Sequence, residues 1–291
     1  METSELIKKV RRIEIKTRGL SRNIFAGEYH SAFKGRGMTF SELREYQYGD
    51  DVRSIDWNVT ARFRRPYVKV FEEERELTVM LLIDVSSSLD FGSGECFKRE
   101  VMTEMAATLA FSAMQNNDKV GVLFFSDKIE KFIPPQKGRK HILYIIRELI
   151  DFKPESTRTD VGFALKHFTN VIKKRCTAFL ISDLLDSKPF DDELSIAGRK
   201  HDVIVLRLYD RREAELPDVG FMKVKDAETG ERMWIDTGNR RWRMQYKNLW
   251  DESRLRLQRL QMKSGVDAVA IDVSRDDYVK ALMGLFKQRG K

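Results

Sequence analysis

The chain of 291 residues is 42% hydrophobic and 34% charged, with a formal net charge of +8. That balance sets aside a disordered chain and leaves room to bury the core of one large domain or two modest ones. No run of eighteen apolar residues is present to span a membrane, and the charged start METSELIKKVRRIEIKTRGL has no apolar signal-peptide centre. Two cysteines, Cys96 and Cys176, cannot make a disulfide framework, so buried free thiols and a cytoplasmic location are expected.

The first 75 residues are rich in charge, aromatics and glycine and poor in apolar runs. They predict a helix over about 3–18 and then irregular or short-stranded structure, an N-terminal segment (1–75) ahead of a larger domain (76–291). Gly49-Asp50 is a turn signal. Arg44, Arg53, Arg62 and Arg64 alternate with Asp50, Asp51 and Asp56, and Phe40, Tyr46 and Trp57 supply anchors. An ion-paired lobe is expected, with Asp56 and Arg62 in salt bridges and Trp57 as a core indole. The alternative is a docking face for a partner.

From residue 77 the pattern alternates. LTVMLLID (77–84) is a continuous apolar run, as in a strand covered on both faces. Val101, Met105 and Leu109 recur at four-residue spacing and predict a helix. KVGVLFFS (119–126) is a strand, and KIEKFIPP (128–135) follows so closely that it should pair antiparallel. Helices follow over 139–150 and 159–174, then a strand at 176–183, a helix at 189–200 and a strand at 201–210. Two short strands flanking AETGE predict a hairpin insertion at about 217–238. A basic helix (239–263), a strand (266–273) and a last helix complete the chain. The fold class is therefore α/β: a mostly parallel sheet with one antiparallel edge strand and helices on both faces.

In such sheets ligands bind beyond the carboxyl ends of the strands, where strand order reverses. The first long strand ends in Asp84-Val85-Ser86-Ser87-Ser88. Asp84, Ser86 and Ser88 alternate through a tight turn, so their oxygens converge and Ser87 points elsewhere. A carboxylate and two hydroxyls suit a hard divalent cation such as Mg2+, Mn2+ or Ca2+. Thr159, at a helix start, offers a further hydroxyl, and Asp183, at the end of a second buried strand, a second carboxylate. The competing expectation is local chemistry: Ser86 and Ser88 capping a turn, Thr159 as an N-cap, and Asp183 accepting backbone bonds.

Asp84-x-Ser86-x-Ser88, Thr159 and Asp183 together resemble the metal-ion-dependent adhesion site (MIDAS) of von Willebrand factor type A domains. The resemblance implies direct cation contacts from Ser86, Ser88 and Thr159, waters held by Asp84 and Asp183, and an open position for a partner's acidic side chain. It implies Mg2+ first among the candidate ions. Two positions depart from the usual pattern: Thr157-Arg158 precede Thr159, and Leu184 follows Asp183, where glycine is common. Upstream, Gly49, Asp50, Asp51, Arg53, Ile55, Asp56, Trp57, Ala61 and Arg62 resemble the signature of the bacterial family called Domain of Unknown Function 58. That resemblance covers the chain from about Gly35 onward. It implies work beside a MoxR-type AAA+ ATPase, with other von Willebrand factor A-domain proteins as further partners.

No G-x-x-x-x-G-K-[ST] loop or G-x-S-x-G elbow occurs, and the four histidines are scattered. A non-enzymatic interaction module is expected. The alternatives are a metal-dependent phosphohydrolase and a nucleic-acid binder using the basic helix, where eight Lys/Arg face two Asp/Glu over 239–263. Trp242, Tyr246, Leu249, Trp250, Leu257 and Leu260 recur near helical spacing there, which predicts burial against the sheet and argues against nucleic acid.

Overall fold

The computed structural model describes residues 10–17, 39–72, 77–94, 97–186, 188–275 and 277–289. Two compact units divide the chain, one of residues Lys34–Leu77 and one of Met1–Phe33 with Thr78–Lys291. Of the expected N-terminal helix, residues 10–17 are helical (α1) and the remainder lies outside the described residues, as does Cys96.

In the smaller unit, β1 (Thr39–Glu45) pairs antiparallel with β2 (Tyr67–Glu72). Between them lies α2 (Trp57–Phe63), a helix not anticipated from sequence. Asp56 caps it, accepting from the N–H groups of Asn58 and Val59. Arg64 ends it in the left-handed region at φ 57°.

The larger unit is built on a six-stranded sheet. Its strands are β3 (Thr78–Asp84), β4 (Lys119–Phe125), β5 (Ile129–Gln136), β6 (Thr177–Ser182), β7 (Asp202–Tyr209) and, last in the chain, Asp267–Asp272 (β10). Their order is β10-β7-β6-β3-β4-β5. Only β5 is antiparallel to its neighbour. The mixed α/β architecture with one antiparallel edge strand is thus the one expected.

The apolar run 79–83 is fully buried because β3 lies inside the sheet and is covered on both faces. Met80 and Leu82 enter one core cluster with Val161, Leu165 and Phe168 of α5 (Val161–Val171) and Leu194 of α6 (Asp191–Lys200). Val79, Leu81 and Ile83 alternate to the other face, the side of α3 (Lys98–Gln115) and α4 (Arg139–Asp151).

After β3 the chain moves outward to β4 and β5, then returns to the opposite side of β3 for β6, β7 and β10. The carboxyl ends of β3 and β6 therefore flank the point where strand order reverses. A short helix, α7 (Arg211–Ala214), follows β7. The hairpin forms as predicted, β8 (Phe221–Lys225) antiparallel to β9 (Arg232–Asp236), and its two strands pair only with each other.

The basic helix α8 (Arg240–Ser264) is capped by Asn239 and stopped by Gly265 at φ 65°. Its apolar residues are buried only in part, Trp250 packing on Arg207 and Tyr209 of β7. Leu257 and Leu260 reach the core, but Trp242 is 53% and Leu249 66% exposed. Only the C-terminal half of this helix has α6 to cover its apolar side. Helix α9 (Tyr278–Arg289) closes the chain, its Leu282 and Phe286 buried.

Candidate metal centre

Beyond β3 the chain turns through a short 3-10 helix, Ser87–Asp90. Asp84 is fully buried and accepts from the Ser86 N–H at 2.9 Å and from Ser182 Oγ at 2.6 Å. The second bond crosses from β6 and ties the two central strand ends together. Ser86 is the N-cap residue of the 3-10 turn, yet its hydroxyl makes no capping bond. Instead Ser86 Oγ and Ser88 Oγ lie 2.9 Å apart, both residues buried. Ser87 points away, as predicted, and its Oγ lies 3.0 Å from Thr157 O.

Thr159 lies in the loop before α5. The Ser87 N–H donates to Thr157 O, at 3.2 Å, so the loops carrying Ser86, Ser88 and Thr159 are in direct contact. Thr159 does not cap α5. Asp160 does, accepting from the Phe163 N–H at 2.8 Å. Thr159 Oγ1 is left buried without a hydrogen-bond partner. The Glu228 carboxyl is near enough for this hydroxyl to oppose the rise in its pKa.

A buried hydroxyl without a partner costs about 1–3 kcal/mol. With the Ser86–Ser88 pair it makes three side-chain oxygens that no backbone group uses. The expected capping roles of Ser86 and Thr159 are absent. Among the described residues no group of three or more His, Cys, Asp or Glu is gathered to hold a metal. The donors here are hydroxyls backed by two carboxylates, and that set fits a hard divalent cation.

Charge points the same way. Burial, helped by the neighbouring Asp183, pushes the Asp84 carboxyl up to about 7 against the bonds from Ser182 and Ser86. Two buried acids side by side call for a cation. Part of that demand is met by a residue that sequence reading overlooked. Lys98, at the start of α3, is fully buried, with its Nζ 2.9 Å from Asp183 Oδ2 and 2.6 Å from Glu213 Oε1. Burial works to neutralise Lys98, but attraction to Asp183 and Glu213 overrides it and raises its pKa. A lysine in a first helical turn ordinarily reads as solvated, and nothing local marks this one as buried.

Asp183 is otherwise used by backbone. Its Oδ1 accepts from the Leu185 N–H at 3.2 Å, and its main-chain carbonyl accepts from Arg207 Nε at 3.2 Å. Leu184, where glycine is common in the motif it resembles, takes φ 56°. That left-handed conformation is what favours glycine at such a position.

A second overlooked contributor is the hairpin tip. Ser87 Oγ donates to Ala227 O at 2.5 Å, and Thr157 Oγ1 to Glu228 O at 2.7 Å. Burial raises the Glu228 carboxyl, against the nearby Thr159 hydroxyl, and Asp226, Asp183 and Asp186 add to the rise. The hairpin was legible in sequence. Its docking 140 residues from Ser87 was not.

The upstream signature residues play local roles within their own unit. Asp50 makes a bidentate pair with Arg44 at 2.7 and 2.9 Å. Asp51 accepts from the Arg53 N–H, while the side chain of Arg53, like that of Arg62, is exposed. Asp56 pairs with Lys69 at 3.2 Å besides capping α2. Trp57 is 66% exposed, so the expectation of a core indole fails. It is the first residue of a short helix, and its ring turns outward.

A family model described as "Protein of unknown function DUF58" matches residues 42–256. "Uncharacterized protein Rv1480" of Mycobacterium tuberculosis (strain ATCC 25618 / H37Rv) is 31% identical over 232 residues, covering 79% of this chain and 73% of the relative. Among solved structures, an aerotolerance-related membrane protein from Bacteroides fragilis NCTC 9343 superposes with a TM-score of 0.50 at 15% identity, over 74% of this chain and 98% of that one. That likeness is one of fold. A von Willebrand factor type A structure from Catenulispora acidiphila aligns over 46% of this chain and 34% of that one, with 15% identity and a TM-score of 0.36. Among the described residues no helix is long and apolar enough to cross a membrane.

Proposed function

The chain belongs to the DUF58 family, and on that footing we propose that it is a non-enzymatic, cation-dependent protein-interaction module. The observation that carries this reading is the buried, unpartnered Thr159 hydroxyl beside the loop of Ser86 and Ser88. Ser86, Ser88 and Thr159 would hold a divalent ion, Mg2+ first, with Mn2+ or Ca2+ as alternatives. Asp84 and Asp183 would orient its waters. A cation bound there supplies a Lewis-acidic point for a carboxylate of a partner protein. Lys98 holds the Asp183 carboxyl in place.

We assign the partner role to a MoxR-type AAA+ ATPase, in complex assembly or chaperone-like work. Affinity purification of the full chain with and without EDTA tests both points. The ATPase is expected to co-purify from wild type without chelator and to be lost with EDTA or in Asp84→Ala. Retention that is indifferent to both would overturn the reading.

One observation favours a second reading. Trp242 is exposed beside Arg240 and Arg241 at the start of α8, an arrangement able to stack a base and hold phosphate. Salt-dependent retention of single-stranded nucleic acid, weakened in Arg240→Ala/Arg241→Ala, would support it.

A further inference from the structure

The tip of the β8–β9 hairpin is fastened to the two loops that form the candidate centre. Ser87, between Ser86 and Ser88, holds Ala227 O at 2.5 Å, and Thr157, two residues before Thr159, holds Glu228 O at 2.7 Å. The turn is organised in advance. Asp226 Oδ1 accepts from the N–H groups of Glu228 and Thr229 at 2.9 and 2.7 Å, and Gly230 closes the turn at φ 74°.

Glu228 alone among residues 225–231 is partly buried, the others being exposed. Its carboxyl faces the Thr159 hydroxyl. Asp183 and Asp186 are near the same carboxyl, and a cation among these acids would relieve their mutual repulsion.

We propose that Glu228 is a built-in ligand of the cation site, so that the hairpin presents the chain's own carboxylate where a partner's acidic side chain would dock. This rests on the cation reading above. The hairpin is suited to be displaced. Its strands pair only with each other, so lifting its tip breaks no strand pairing of the six-stranded sheet. Cation loading then draws Glu228 inward and orders the turn, and an incoming acid must compete with it. The site is self-occupied until a partner outbids residue 228.

The test is Mn2+ titration calorimetry with hydrogen exchange over 226–231, on the full chain. Wild type is expected to bind Mn2+ and to slow exchange in the turn on loading. Glu228→Gln should weaken Mn2+ binding by about tenfold or more and abolish the slowing. Thr157→Val keeps the carboxylate but loosens its tether, and should give a smaller loss of both. If Glu228→Gln binds Mn2+ within about twofold of wild type and its turn responds equally, the inference falls while the cation site stands. If wild type takes up no Mn2+, or Ser86→Ala binds it as wild type does, the cation reading falls and takes the inference with it.

Discussion

The Lys98 ammonium lies 2.9 Å from Asp183 Oδ2, and neither side chain is open to solvent. The α/β core therefore carries a fixed cation next to the place where a second, exchangeable one is expected. Lys98→Met should leave Asp183 and Glu213 without their directly paired counter-charge, with only Arg207 as a buried cation nearby. A loss of about 3–5 kcal/mol is expected, as for other broken buried pairs, read as a shift in the urea midpoint. A loss below about 1 kcal/mol would mean that water reaches these acids.

Thr159→Val separates folding from cation binding. Its hydroxyl has no partner, so in chelator the variant should be as stable as wild type or up to about 1 kcal/mol more so. Its Mg2+-induced rise in Tm should vanish. Ser86→Ala should lose that rise too, but also lose about 1 kcal/mol in chelator through the bond to Ser88. A full Mg2+ response in Thr159→Val would exclude this threonine from the site.

The pH dependence follows from Asp84. Its folded pKa of about 7 lies above the ordinary carboxylate value, so the folded state binds the extra proton between the two. In chelator, stability should fall as pH rises from about 4 through 7 and then level off. Asp183, just beyond β6, is the charged neighbour that shapes this titration. Asp84→Asn should lose this slope, so that the wild-type-minus-variant difference falls with pH over that window. Cation affinity should rise with pH until Asp84 is fully ionised. Parallel stability curves for the two proteins would contradict the assignment.

Cys176 lies 3.4 Å from His201 Nδ1, a spacing that invites comparison with a thiol nucleophile and its base. Burial, with Asp202 adding and Lys200 opposing, pushes the thiol up to about 12, and burial first of all lowers His201 to about 4. Both are therefore neutral near pH 7, and the thiol is inert. Iodoacetamide followed by peptide mapping should leave Cys176 unmodified in the native protein and label it in guanidinium. Rapid native labelling would overturn this.

Most of the larger unit was legible in sequence because its strands are covered on both faces and its helices are not. Continuous apolar runs such as 79–83 and spaced ones such as Val161, Leu165 and Phe168 separate cleanly. Asp84, Ser86 and Ser88 were legible because their spacing is local. Lys98, Ser182 and Glu228 were not, since each reaches the site through a long-range contact that leaves no local trace. The exposed Trp57 and Trp242 misled for the opposite reason. Aromatic residues ordinarily imply burial, and here no neighbouring element among the described residues of the unit covers them.

Leu184 bears on how freely the loop after β6 can rearrange. It holds a backbone conformation that a side chain resists, yet it is 8% exposed and part of the core cluster with Leu180 and Phe190. A glycine at this point would hinge. A leucine nails the hinge shut, because flipping its peptide drags a buried side chain toward water at about 2 kcal/mol. Whatever motion opens and closes this receptacle is therefore assigned to the hairpin side, and the β6 side serves as its fixed jaw.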